Sequence, residues 1–215
     1  MISIEFYHDA VCSWCYLLSP RLRKVSKNFD IQITHRSFVL QKNRDEMIEK
    51  FGSMTIAKSE ILSHWEICKS KAENPSTINV DGMRKAQFEY PSGYNAALIS
   101  KAAESLWGQN AHWDLFDAIQ IAHFSDNLNI NDMSVLLSIA DKKGFDIKAL
   151  QKRVSSIEIK QDVANDNAQA KALAIPTIPT IVINSKQIIS QALSEQQLQI
   201  LFEPLTQHES TEKAL

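Results

Sequence analysis

The sequence predicts an α/β protein whose single sheet is assembled from both ends of the chain, with a large all-helical insertion between them. Three observations predict this class. A strand–helix–strand pattern fills 1–40, a helical pattern runs from about 43 to 174, and a strand–strand–helix pattern follows. The apolar faces of the terminal strands have to be buried together. We therefore expect a discontinuous sheet domain (1–40 and 160–205), a helical insertion (41–159) and a frayed tail (206–215).

The first three elements follow from apolar patterning. Met1 to Tyr7 is a short apolar run that is typical of a strand, and apolar residues then recur at helical spacing from Tyr16 to Val25. Ile31 to Phe38 alternates with a period of two, which favours a second strand.

The middle and the end of the chain divide in the same way. Helices are predicted at 95–107, 113–124, 132–143, 147–154 and 156–173. Strands are predicted at Thr180–Asn184 and Gln187–Ser190, with a tight turn at Ser185–Lys186. A capping-box-like start at Ser194 opens a last helix, and Pro204 is expected to end it.

Composition excludes several classes of function. The chain has 215 residues, 44% apolar content and a net charge of −2, so we expect a soluble protein that binds no nucleic acid. No apolar run approaches the roughly 20 residues of a membrane span. The N-terminus lacks a leader pattern, which predicts a cytoplasmic protein, although a chain whose leader had been removed would look the same. Nothing in the sequence predicts the oligomeric state.

The residues with the clearest chemistry are two cysteines, Cys12 and Cys15. Cys12 falls where the first strand turns into the first helix, and the unpaired N–H groups of a helix start favour a thiolate, which is the nucleophile in disulfide exchange. Cys15 lies one turn away, close enough to close a disulfide ring. Redox catalysis is the leading hypothesis, and metal binding and inert thiols are the alternatives. Because the histidines and Cys68 add no second pair at ligand spacing, no metal site is predicted.

The chain resembles the DsbA family of the thioredoxin superfamily. The segment from Asp9 to Tyr16 reads D-A-V-C-S-W-C-Y and is similar to the D-x-x-C-P-W-C-Y pattern of the FrnE-like branch. Pro20 stands where such proteins often carry a helix proline, and 174–184 resembles G-V-x-G-V-P-T-F-V-I-N. Ser13 and Thr177 depart from the usual proline and glycine.

The resemblance implies a thioredoxin-like fold and a role for several residues. Cys12 would attack the substrate and Cys15 would resolve the mixed disulfide. Pro179 would be a cis-proline that presents the backbone of Ile178 to an extended substrate as an added strand. Trp14 would contact substrate or pack on the insertion. Ser13 would tune the redox potential.

Four further residues have two interpretations each. Glu5, in a strand expected to be central, is a proton acceptor for the resolving thiol or a solvated residue at the end of the sheet. Asp9 braces the loop or modulates the nucleophile. His8 is expected to be a solvent-facing loop residue and is otherwise a modulator. Cys68 is expected to be a buried apolar thiol, with an auxiliary redox role as the alternative.

The predicted function is thiol–disulfide exchange on protein or small-thiol disulfides, with a partner dithiol or glutathione as the redox partner. No organic cofactor is expected, because the thiol pair carries the electrons; glutathione is a possible co-substrate. One alternative is a glutathione-dependent isomerase or transferase related to 2-hydroxychromene-2-carboxylate isomerase and kappa-class glutathione transferases, in which a serine usually replaces the first cysteine. The non-enzyme alternative is a redox-sensing or chaperone-like binding module.

Overall fold

A four-stranded mixed sheet joins the two ends of the chain in the computed structural model, which describes the backbone of residues 1–212 and the side chains of 1–205. The strands are β1 (Ile2–His8), β2 (Ile31–Ser37), β3 (Thr180–Ile183) and β4 (Gln187–Ile189), in the order β2-β1-β3-β4. β1 pairs with β2 in parallel and with β3 antiparallel, so β1 is central, as predicted.

Ten helices surround and extend this sheet within the described residues. They are α1 (Ser13–Ser26), α2 (Arg44–Phe51), α3 (Met54–Lys69), α4 (Val80–Lys85), α5 (Tyr94–Trp107), α6 (Gln109–Phe124), α7 (Met133–Lys142), α8 (Ile147–Val154), α9 (Ile157–Ala172) and α10 (Glu195–Glu212). A short 3-10 helix lies at Pro75–Thr77. The predicted class, an α/β fold with a helical insertion, is confirmed. In the described part of the chain, no helix has the length and apolar character needed to cross a bilayer.

The turn between β3 and β4 differs from the prediction by one residue. Asn184 and Ser185 have φ of 50° and 54°, and Lys186 N donates to Ile183 O over 3.0 Å. A two-residue turn of this kind needs positive φ at both central positions, which asparagine tolerates well. The predicted centre at Ser185–Lys186 is therefore wrong.

Two helix boundaries also differ from the prediction. α6 begins at Gln109, because Gly108, with φ of 87°, separates it from α5. α10 continues through Pro204 to Glu212, so the predicted end at Pro204 is wrong. The backbone is thus helical within 206–212 of the expected tail, while the side chains of 206–215 and the backbone of 213–215 lie outside the described residues.

Two hydrophobic cores meet at helix α1. The main core lies between the sheet and the helices and includes Leu18 and Leu22 of α1. The insertion core is centred on Trp65 of α3 and receives Leu17 from α1. Trp14 packs against both cores. The start of α1 is therefore held from two sides, which fixes the position of the thiols that it carries.

Candidate active site

Cys12 is the N-terminal capping residue of α1. Its backbone is extended, with φ of −86° and ψ of 111°, and its Sγ accepts a hydrogen bond from Cys15 N over 3.4 Å. No acidic residue occupies the first turn of α1. Unpaired N–H groups and the positive end of the helix dipole both stabilise negative charge at such a position. The prediction that Cys12 lies at the start of a helix is therefore confirmed.

The segment before β3 lies directly against this sulfur. The distance between Cys12 Sγ and the carbonyl oxygen of Ile178 is 3.7 Å, and the Ile178–Pro179 peptide is cis. Ile178 and Thr177 line the same cavity as Cys12. Residues separated by more than 160 positions in the chain thus form one surface around the thiol.

Cys15 differs sharply from Cys12 in its surroundings. Cys15 has no exposed surface, whereas Cys12 is 7% exposed and lines a cavity. Burial raises the pKa of the Cys15 thiol well above its ordinary value, and contact with Cys12 raises it further. Both are free thiols. Cys12 therefore has surface on the cavity, whereas Cys15 has none.

Asp9 braces the loop between β1 and α1, as one of its two interpretations predicted. Its carboxylate accepts hydrogen bonds from Val11 N over 3.2 Å and Leu40 N over 2.9 Å. It also packs on Gly93 at the start of α5, where a Cβ atom would overlap Asp9 Oδ1. Burial raises the pKa of Asp9 to about 6, although these backbone hydrogen bonds oppose the shift. The carboxylate is also close enough to Cys15 to raise the pKa of that thiol.

Glu5 and His8 occupy places that the sequence did not indicate. Glu5 is neither next to the thiols nor free in solvent: its Oε1 lies 2.6 Å from Arg36 Nη2 and accepts from Gln169 Nε2 over 3.1 Å. His8 is the last residue of β1 and is only 4% exposed. The prediction that His8 is a solvent-facing loop residue is wrong, because β1 extends far enough to carry this ring into the main core.

A cavity of about 260 Å³ opens beside Cys12 on the insertion side. Its wall is mainly apolar and comes from α2, α3 and the loop before α5, with contributions from Met47, Phe51, Ile61, Trp65, Tyr90 and Pro91. Trp14 also lines it and is half-buried, so it both packs on the insertion and faces the cavity. Lys50 and His64 are exposed and place an ammonium group and an imidazole ring at the rim of the cavity.

Cys68 is fully buried in the insertion core, which confirms the expectation of a buried thiol. Burial raises its pKa to about 11, while a hydrogen bond with the Ser13 side chain lowers it. Ser13 itself is 5% exposed. The residue that replaces the family's usual proline therefore points inward and contacts a third thiol.

Two residues that sequence reasoning did not assign to the site hold the backbone around Cys12. Gln120 Nε2 of α6 lies 3.4 Å from the Cys12 carbonyl oxygen and donates to it. Tyr90 Oη donates to Val11 O over 3.2 Å and accepts from Trp65 Nε1 over 3.1 Å. Gln120 carries no motif signal, and its role depends on how α6 packs.

Together, the sheet, the helical insertion and the thiol pair at the start of α1 define a protein of the thioredoxin-like class. A family model described as the DSBA-like thioredoxin domain matches residues 3–202. The chain therefore belongs to the DsbA-like family, and the resemblance that the sequence suggested is confirmed at that level.

Solved structures with the same fold include two described as disulfide-exchange proteins. A protein disulfide isomerase candidate from Nitrosomonas europaea matches with a TM-score of 0.77 and 18% identity, over 96% of this chain and 98% of that one. The cytosolic disulfide reductase DsbM from Pseudomonas aeruginosa matches with a TM-score of 0.75 and 16% identity, over 95% and 98%. A structure of that reductase with GSH has a TM-score of 0.69, 17% identity and coverage of 95% and 99%.

A 2-hydroxychromene-2-carboxylate isomerase has the same fold, with a TM-score of 0.62 and 15% identity over 99% of this chain and 98% of that one. At these identities the structural matches show the fold alone. Family membership supports thiol–disulfide oxidoreductase activity in general.

Proposed function

We propose that this chain catalyses dithiol–disulfide exchange, with Cys12 as the nucleophile and Cys15 as the resolving thiol. The observation that carries the proposal is the difference between the two sulfurs. Cys12 faces a cavity and accepts a hydrogen bond from the helix start, whereas Cys15 is wholly enclosed. A disulfide-bonded substrate can therefore reach Cys12 first.

The reaction consists of two exchanges that balance in electrons. The Cys12 thiolate attacks one sulfur of the substrate disulfide, forms a mixed disulfide and releases the other sulfur as a thiolate. Cys15, as a thiolate, then attacks the Cys12 sulfur and releases the second substrate thiolate. Two electrons pass from the protein thiols to the substrate, and a partner dithiol or two glutathione molecules restore them. The reverse sequence oxidises a substrate.

Asp9 is the proposed proton acceptor for Cys15. The resolving thiol has to lose a proton in an interior that opposes its ionisation. Asp9 is buried and within electrostatic reach of Cys15, and its pKa of about 6 lets it be ionised near neutral pH and still accept a proton. Glu5, which the sequence suggested for this role, is engaged by Arg36 and Gln169 instead.

Substrate backbone is proposed to pair with the segment at Ile178. The Ile178 carbonyl group lies beside the Cys12 sulfur and Ile178 lines the cavity, so an extended peptide could add there as a short strand. The half-buried Trp14 ring offers an apolar surface for the neighbouring substrate residues.

Glutathione is the proposed small-thiol co-substrate. A cavity of about 260 Å³ beside Cys12 suits a tripeptide thiol better than a folded protein, and Lys50 at its rim can attract a carboxylate. One structural neighbour is described with GSH. An isomerase or transferase that uses glutathione without thiol exchange is the second candidate, favoured by the isomerase neighbour. The enclosed Cys15 argues against it, because such a reaction has no use for a resolving thiol.

We also propose that the reaction takes place in the cytoplasm, since three cysteines are too few for the disulfide scaffold of a small secreted protein. Finding the protein mainly outside the cytoplasmic fraction after cell fractionation would contradict this location.

The test is insulin reduction with dithiothreitol, followed by turbidity, for the natural chain and for Cys12→Ala and Cys15→Ala. Cys68→Ala is the matched control, because it removes a buried thiol that is outside the pair. We expect turnover to be lost in Cys12→Ala, strongly reduced in Cys15→Ala and retained in Cys68→Ala.

Unchanged turnover in Cys12→Ala would exclude the exchange mechanism and leave the redox-sensing or chaperone-like module. Turnover that requires glutathione and is indifferent to Cys15→Ala would favour the isomerase or transferase instead. A redox titration of the thiol pair against glutathione then gives the direction of electron flow.

A further inference from the structure

Three buried histidines come together in the main core, apart from the thiols. His8 ends β1, His35 lies in β2 and His112 lies in α6, and none is more than 4% exposed. One ring nitrogen of each lies within 4.8 Å of one ring nitrogen of each of the other two. Sequence spacing gives no sign of this cluster, because the three are 27 and 77 positions apart.

The rings are held in a fixed arrangement. His8 Nε2 lies 3.0 Å from His35 Nδ1, so one of these nitrogens donates to the other. The rings of His35 and His112 are stacked, with centroids 4.7 Å apart and planes 18° apart. The aromatic ring of Phe116 closes the cluster on one side, 3.9 Å from the His8 ring.

Glu104 determines which nitrogen of His112 carries the proton. His112 Nδ1 lies 2.7 Å from Glu104 Oε2, and the same carboxylate oxygen forms an ion pair with Lys101 Nζ, 3.0 Å away. Because a carboxylate can only accept, Nδ1 is the donor, and Nε2 of the neutral ring carries a lone pair. A carboxylate–histidine pair of this kind orients the imidazole in many metal sites.

Two nitrogens of the cluster have no protein partner among the described residues. They are Nε2 of His112 and Nε2 of His35, both buried. Leaving a buried polar atom unpaired costs about 1–3 kcal/mol. A core formed only by hydrogen-bonded histidines does not explain why two such atoms are retained in one cluster.

A connected set of ion pairs with a net negative charge borders the cluster. Three carboxylates, on Glu5, Glu104 and Asp166, face two cationic groups, on Arg36 and Lys101, in one connected set of ion pairs. The formal sum of that set is −1. Lys101 acts electrostatically on all three rings, but within the set its charge is offset by Glu104 and Asp166. Imidazole nitrogens suit a divalent transition metal.

A neighbouring ion-pair set does not reverse this charge. Arg23 acts electrostatically on His35, but it is paired with Asp114 over 2.8 Å and Asp117 over 3.0 Å.

We propose that His8, His35 and His112 bind a single Zn²⁺ ion that links β1 and β2 to α6. Zinc takes imidazole nitrogens at about 2.0–2.1 Å, and sites with three protein ligands leave a fourth position for water. Tetrahedral geometry at that bond length places nitrogens about 3.3 Å apart. The rings therefore have to rotate from their present spacing of within 4.8 Å, and the metal replaces the hydrogen bond between His8 and His35. Glu104 acts as the orienting partner of His112. The site is independent of the thiol chemistry proposed above.

The test uses the full chain with both Cys12→Ser and Cys15→Ser, because a free thiol pair would itself bind zinc. This parent chain is prepared in two ways, by expression with added zinc and by refolding with Zn²⁺, since the site is enclosed. Metal content is measured by mass spectrometry after gel filtration. We expect one zinc per chain. Refolding with Co²⁺ should give d–d absorption bands without thiolate charge transfer.

Three variants of the parent chain locate the site. His112→Gln should lose the metal, and Glu104→Gln should bind it about 10–100-fold more weakly. His123→Gln is the matched control, because His123 lies on the same helix, is equally buried and is outside the cluster. His123→Gln should retain one zinc ion per chain.

Absence of zinc from the parent chain after both preparations, or a full equivalent in His112→Gln, would overturn the proposal. If His112→Gln fails to fold, the effect of zinc on the melting temperature of the parent chain tests the proposal instead. Zinc should raise it in the parent and in His123→Gln, and less in Glu104→Gln. No rise in the parent would likewise overturn the proposal.

Discussion

The two hydrophobic cores contribute different things to the thiol site. The main core encloses Cys15 and the sheet, and Asp9, at its edge, is fixed by backbone hydrogen bonds. The insertion core, centred on Trp65, supplies the apolar wall of the cavity in front of Cys12. Helix α1 has one face in each core. In the proposed function, the resolving thiol and its proton acceptor lie on the main-core side of α1, and the apolar side-chain contacts to substrate lie on the insertion side. Substitutions should therefore be able to separate the two.

The largest separable effect is expected on the side of the main core. Asp9→Asn removes the proposed proton acceptor, and because a positioned acid or base contributes about 10²–10⁴-fold, resolution by Cys15 should slow by at least about 10²-fold. The measurement is rapid-quench release of product thiol from a preformed mixed disulfide, as a function of pH. The natural chain should lose rate below about pH 6, as Asp9 becomes protonated.

This fall in rate below about pH 6 should be absent from Asp9→Asn, whose KM should stay within a factor of about two. If the rate of the variant fell at the same pH, the group that titrates would not be Asp9.

The same carboxyl group should make stability depend on pH. Burial raises the pKa of Asp9 from 3.8 to about 6, so folding favours the protonated form. That contribution is fully present below pH 3.8 and is lost as the pH rises through about 6. Urea unfolding should show the free energy of unfolding of Asp9→Asn rising relative to the natural chain by up to about 3 kcal/mol between pH 4 and pH 7.5. A difference between the two proteins that does not vary with pH would contradict a raised pKa.

On the insertion side the effects should be smaller and confined to binding. Phe51→Ala removes part of the cavity wall without touching the thiols. Losing that apolar contact should raise KM for a peptide disulfide about 10-fold, with kcat unchanged. Ile67→Ala is a suitable control, because Ile67 is an exposed apolar residue on α3 that does not line the cavity. A fall in kcat would mean that the two sides of α1 are not separable.

The smallest expected effect concerns charge at the rim. Lys50→Ala should raise KM for glutathione about 3-fold and have no effect with an uncharged dithiol, because Lys50 is exposed and its attraction is weakened by solvent. The measurement is KM for each of the two substrates at low and at high salt. An equal change for both substrates would argue against carboxylate recognition at this rim.

Local signals predicted the thiol half of the site. The placement of Cys12 at a helix start and of Cys15 one turn later follows from residues that are adjacent in sequence, and the proline segment was recognised as a motif. Asp9 was also found, because it lies next to the thiols in the chain. Such features depend on short-range geometry, which apolar periodicity and capping residues determine.

The rest of the site depends on contacts between distant segments. Gln120 reaches the Cys12 carbonyl oxygen and Cys68 reaches Ser13 only because α6 and α3 pack where they do. Glu5 was assigned a role from its burial in a central strand, but its actual partner, Arg36, lies on β2. The turn between β3 and β4 was placed one residue too late, because Asn184–Ser185 and Ser185–Lys186 could each be its central pair. The tolerance of asparagine for positive φ is what favours the first of these pairs.

Trapping of the mixed disulfide is the most direct test of Cys12 as the nucleophile. Cys15→Ala is incubated with oxidised glutathione or a peptide disulfide, and the adduct is located by mass spectrometry of peptides. We expect a stable adduct on Cys12, which the natural chain resolves too quickly to accumulate. An adduct on Cys68 alone, or none on Cys12, would contradict it.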